Sequence, residues 1–79
     1  MNIDEIKTLL SNGDVPSEKV NPIINSLSEE DLSSLSEQEK KCLYEILNKM
    51  LLLMQDLNSG AHLDNPQKAE ILLNSISDY

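Results

Sequence analysis

His62 is the only imidazole in the chain, and it lies in the run His62-Leu63-Asp64. An imidazole beside a carboxylate has the makings of a metal ligand or a general base. A base also needs a nucleophile or substrate group held against it, and nothing in the pattern fixes one there. The favoured reading is a hydrated loop histidine. Cys42 is the only cysteine. A reactive thiol wants an electropositive, partly exposed setting. Lys40 and Lys41 adjoin Cys42 in sequence but point elsewhere on a helix. The thiol therefore reads as a structural residue at the edge of an apolar face. One Cys and one His also fall short of the four ligands of a structural zinc site. A single cysteine forms no internal disulfide.

Carboxylates are plentiful, at 14 against six lysines and no arginine. Paired catalytic carboxylates need surroundings that push their pKa values apart. These acids gather instead at expected helix starts, where capping accounts for them. With only Gly13 and Gly60 there is no glycine-rich phosphate loop, and neither GxSxG nor HExxH occurs. The chain reads as a non-enzyme with no cofactor and no metal.

The elements that carry these residues are expected to be helices. Leu and Ile dominate the apolar set, Phe and Trp are absent, and Tyr44 and Tyr79 are the only aromatics. Leucine favours helices, whereas strands favour aromatic and β-branched residues. At 79 residues the chain makes a single domain with a modest core. The fold expected is an all-α small bundle of three main helices plus one or two short ones.

The first helix is expected over Ile3 to Ser11, capped by Asn2, stopped by Asn12-Gly13, with Ile3, Ile6, Leu9 and Leu10 on one stripe. The stretch from Asp14 to Leu27 is open to two readings. The better fit has Ser17 capping a short turn through Val20 and Asn21 capping a new helix at Pro22; one helix running through, kinked at Pro22, is the alternative. Ser28-Glu29-Glu30-Asp31 reads as a short acidic variant of the capping box, opening one or two turns with Leu32 and Leu35 inward. Ser36-Glu37-Gln38-Glu39 is a full capping box. It opens the organising helix, expected at about 37–58, roughly 33 Å long at 1.5 Å per residue. Cys42, Leu43, Ile46, Leu47, Met50, Leu53, Met54 and Leu57 share one arc of it. Of the two box residues, Ser36 is expected to matter more than Glu39. Asn65 then caps a last helix that begins at Pro66, with Ala69, Leu72, Leu73 and Ile76 inward.

Ser33-Ser34-Leu35, just ahead of the Ser36 cap, loosely resembles the Asp-Ser-Leu of acyl carrier proteins, which are small, acidic and helical. The resemblance implies a phosphopantetheine arm on Ser34. Ser33 stands where that family has aspartate, the upstream glycine is missing, and the helix that follows is longer and more apolar. The immunity proteins of nuclease bacteriocins are also small, acidic and helical. The closing Asn-Ser-Ile-Ser-Asp-Tyr is similar to a segment of one such family but stands at the opposite end of the chain, and the acidic-aromatic recognition segment is absent.

A net charge of −8 repels phosphate backbones and anionic lipid, so neither nucleic acid nor membrane is the expected partner. The longest unbroken apolar run, Met50 to Met54, is far too short to span a bilayer. The first ten residues carry acids where a secretion signal needs a basic start, which points to the cytoplasm. The expected partner is another protein, basic for preference.

Two features would meet it. Between Val20 and Glu39 there are five acids, among them Glu29, Glu30, Asp31 and Glu37, and no lysine. They form a negative patch able to steer a basic partner. The second feature is the apolar excess at Met50 to Met54. Leu51 widens the long helix's arc, Leu52 points away from it, and Ile71 is a similar outlier on the last helix. Met50, Leu51, Leu52 and Met54 are therefore expected at an interface with a homodimer mate or a different protein. The function expected is non-enzymatic protein binding of the immunity, antitoxin, secretion-chaperone or inhibitor type. An acyl-carrier-like protein and a structural subunit of a larger assembly are the alternatives.

Overall fold

The computed structural model describes residues 1–13, 15–56, 58, 60 and 62–77. Among these there are five helices and no strand: α1 (Ile3–Asn12), α2 (Ser17–Ser26), α3 (Glu29–Leu32), α4 (Glu37–Met54) and α5 (Pro66–Ser77). The molecule is the all-α bundle expected, with α4 packed chiefly against α5 and α1.

The helix starts follow the capping residues. The Glu5 amide donates to Asn2 Oδ1 at 2.9 Å, and Asp4 and Glu5 lie in the first turn, where the helix dipole favours acids. Gly13 closes α1 with φ 73°, a left-handed conformation that side-chain-bearing residues rarely adopt. At α5 the Lys68 amide donates to Asn65 Oδ1 at 3.1 Å, and Pro66 takes the first helical position, where its missing N–H costs nothing.

Two elements differ from the sequence-based expectation. The first is α2, which runs unbroken through Pro22 for ten residues instead of restarting there. Pro22 deprives the helix of one backbone bond, at a cost of about 3 kcal/mol. Val20, Ile23, Ile24 and Leu27 lie on both sides of it and are all buried. Burying each of these is worth about 1.5–3 kcal/mol, so the continuous stripe outweighs the proline. The bundle thus has four helices of ten or more residues and one short one.

The second is α4, which ends at Met54, four residues short of Asn58. The Gln55 amide reaches the carbonyls of Leu52 and Leu53, and the Asp56 amide donates to the Leu53 carbonyl at 3.0 Å. Asp56 then turns its own carboxylate onto the Asn58 amide at 3.0 Å. A short acidic side chain that captures the backbone two residues on competes with helix propagation. Leu57 falls outside the described residues.

The core is continuous and built from every helix. Ile6 and Leu10 of α1, Ile23 and Ile24 of α2, Leu32, Leu43 and Leu47 of α4, and Ala69 and Leu72 of α5 are at most 1 % exposed. Leu32 comes from the single turn of α3. The connection between α4 and α5 contributes Leu63, also buried, although it lies in no helix.

Candidate interaction surfaces

The two halves of α4 differ in how their outer residues are used. A helix turns about 100° per residue, so Leu52 lies roughly opposite Leu43 and Leu47. It is 59 % exposed. Met50, Leu51 and Met54 are half-buried and pack against the core. Of the four apolar residues expected at an interface, Leu52 alone is surrendered to solvent; the other three divide their surface between core and water. Ile71 of α5 is 50 % exposed, as its place on the wheel required.

The acidic residues divide in the same way. Glu29, Glu30 and Glu37 are exposed. Asp31 is half-buried, and its carboxylate accepts the Ser28 amide at 3.0 Å. Three of the four carboxylates are thus turned to solvent, and the fourth is committed to its own cap. Ser34 is exposed, and its hydroxyl donates to the Asp31 carbonyl at 2.7 Å.

The remaining candidates for chemistry are placed as the sequence suggested. His62 is well exposed and lies 3.2 Å from Asp64 through Nε2. Cys42 is half-buried, and burial first, then the nearby Glu45 charge, pushes its thiol pKa up. A raised pKa keeps the thiol protonated and slow as a nucleophile. Among the described residues no three His, Cys, Asp or Glu side chains gather as a metal site would require. Nor is any described helix long and apolar enough to cross a membrane.

Three polar contacts between separate segments went unseen in the sequence. Glu39 is a buried carboxylate, 8 % exposed. Its Oε1 accepts the Ser36 amide at 2.7 Å, completing the capping box, while Oε2 lies 2.9 Å from the Ser11 hydroxyl of α1. The Ser36 amide lowers the Glu39 pKa most. Burial opposes that shift; the Ser11 and Ser36 side chains and the Lys7 charge reinforce it. Asn21 does not cap a helix. It clamps the α4–α5 connection, donating to the His62 carbonyl at 3.0 Å and accepting from the Asp64 amide at 2.9 Å. Lys68 Nζ reaches the Asn25 carbonyl of α2 at 3.1 Å. The Glu in the third position of a capping box was the available signal for Glu39. Nothing local announces a side chain that bonds across 41 or 43 residues.

Comparison with protein-family models, with curated proteins and with solved structures found no match for this chain.

Proposed function

We propose that this chain is a non-catalytic binding module for a basic protein, acting in the cytoplasm. The observation that carries this reading is Leu52, a large apolar side chain 59 % exposed on the outer face of the bundle's longest helix. Met50, Leu51 and Met54 extend the apolar surface at its margins, and methionines repack readily against a partner. The exposed Glu29, Glu30 and Glu37, within a net charge of −8, supply long-range attraction for a cationic surface. Charge of this kind raises association rates, and the apolar contact slows dissociation.

The test begins with capture of partners from the native cell and purification of one as a defined pair. Leu52→Glu should leave the melting temperature within a few degrees of wild type, because the side chain is exposed. It should weaken the pair by about tenfold or more, the loss typical of an interface anchor. Reversing Glu29, Glu30 and Glu37 to lysine should slow association, with the effect fading in high salt. A pair that ignores Leu52→Glu and shows no salt dependence would remove this reading.

A further inference from the structure

Asn12-Gly13, the stop of α1, joins a structural role to a chemical one. Gly13 holds φ 73°, and its amide donates to the Leu10 carbonyl at 3.2 Å. The missing Cβ that permits this conformation also leaves the Gly13 nitrogen open to approach. A Cβ there would meet nothing within 4 Å among the described residues beyond its chain neighbours, and Asn12 is exposed. Of the eight asparagines in the chain, Asn12 alone is followed by glycine. A side-chain amide just ahead of an unhindered backbone nitrogen is set for ring closure. Elsewhere the next residue carries a side chain that obstructs it, and the prolines after Asn21 and Asn65 have no N–H to react.

We propose that Asn12 is a site of spontaneous deamidation and isomerisation, reached when the last turn of α1 opens, and that its products loosen the α1 stop. The Gly13 nitrogen attacks Asn12 Cγ, forming a new N–Cγ bond and giving up its proton. The Cγ–Nδ2 bond breaks and ammonia leaves, closing a five-membered imide. Water then adds to one of the two imide carbonyls. Opening at one gives aspartate. Opening at the other gives isoaspartate, in which the main chain runs through the former side chain. Only water is consumed. In the closed helix the Gly13 N–H is committed to Leu10, so the reaction waits on the release of that bond. Helix ends fray at a free-energy cost far below that of global unfolding. Either product sets a carboxylate at the negative end of the helix dipole, two residues before Asp14. Isoaspartate also lengthens the main chain by one carbon, which displaces the Gly13 amide from the Leu10 carbonyl. This end of α1 meets the start of α4 through Ser11 and Glu39, at the opposite end of that helix from Leu52. The inference is therefore independent of the binding function assigned to the Leu52 face.

The experiment incubates the full chain at mildly alkaline pH, in parallel with the same chain unfolded in guanidinium chloride. Peptide mass spectrometry locates converted asparagines, and enzymatic methylation of isoaspartate counts the isomerised ones. Asn12 should convert ahead of every other asparagine, to a mixture of aspartate and isoaspartate. Its rate in the native chain should lie within about a hundredfold of that in the unfolded chain. Asn12→Gln should abolish the leading product, because the longer side chain disfavours the ring, while leaving the melting temperature unchanged. The isolated isoaspartyl form should melt several degrees below the unmodified protein. Suppression beyond about a hundredfold would mean that Gly13 is released only with the whole fold, and would overturn the proposal. Conversion led by another asparagine would overturn it too, because the glycine would then confer no advantage. An isoaspartyl form that melts with the unmodified protein would overturn the loosening of α1.

Discussion

Ser28–Asp31 and Ser36–Glu39 are the same device repeated eight residues apart. In each, the serine oxygen accepts the amide of the acid three residues on, at 3.3 Å and 3.2 Å, and the acid accepts the serine amide, at 3.0 Å and 2.7 Å. What they head is very different. The first opens the single turn of α3, and Asp31 is half-buried with its carboxylate turned back onto the box. The second opens the 18 residues of α4, and Glu39 is buried with a further bond to α1. A capping box sets where a helix starts. Its worth to the fold depends on what the rest of the chain packs against it.

The largest effects should therefore fall on the helix under the second box. Leu47 is 0 % exposed, and Leu47→Ala should cost about 2–5 kcal/mol in denaturant unfolding. Met50, one turn on, is half-buried, so Met50→Ala should cost clearly less, about 1–2 kcal/mol. Equal losses at the two sites would mean that the core continues farther along α4 than its burial indicates, and the contrast between its two ends would fail.

Next come the acids themselves. Glu39→Ala removes a charged acceptor from two donors and should cost about 1.5–3 kcal/mol, whereas Asp31→Ala should cost about 1 kcal/mol or less. This reverses the rank expected from sequence, which set Ser36 above Glu39. Ser36→Ala loses one cap bond, worth about 1 kcal/mol, and leaves the buried carboxylate bonded. If Asp31→Ala and Glu39→Ala proved equal, burial would add nothing to the device.

Acid should weaken the second box. The folded Glu39 pKa is held below its ordinary value of 4.5, so the ionised form stabilises the fold. That contribution is complete above the unfolded pKa and is lost as pH falls through the lower, folded one. Glu39→Gln should accordingly be less stable than wild type at pH 7, with the gap closing as pH drops below about 4. A gap of constant size from pH 7 to pH 3 would show that the charge has no part in it.

The contrast between the boxes also marks how far the sequence could be read. Asn2, Ser28, Ser36 and Asn65 were legible because a cap acts within three residues, and the stripes of α1, α4 and α5 were legible because one helix face repeats. Pro22 was misjudged because a local penalty was weighed without the burial on both sides of it. The end of α4 was set too late because Asp56 works on the residue two places beyond, after the apolar arc has already made its case for continuing. The burial of Leu63 and the clamp made by Asn21 were invisible. One is a single buried residue in a loop, and the other bonds to a segment some 41 residues away. The candidate surface was half legible. Wheel position found Leu52 and Ile71, but it had no means of knowing that the core would draw Met50, Leu51 and Met54 partly inward.

The smallest effect is the most discriminating. The Ser11 hydroxyl lies 2.9 Å from Glu39 Oε2 and 2.7 Å from the Lys7 carbonyl one turn back on α1. A hydroxyl has one proton to give, so a well-formed bond to one acceptor weakens the other. The carboxylate is the stronger acceptor because it is ionised, and the carbonyl is the nearer. If the proton goes to Glu39, then Ser11→Ala and Glu39→Gln are coupled, and the double variant should be less destabilised than the sum by about 0.5–1 kcal/mol. The coupling should vanish at a pH low enough to protonate Glu39. If instead the proton stays on the Lys7 carbonyl, the two substitutions will add within error at every pH. The second capping box would then owe its advantage over the first to burial of Glu39 alone, without a bond between α1 and α4.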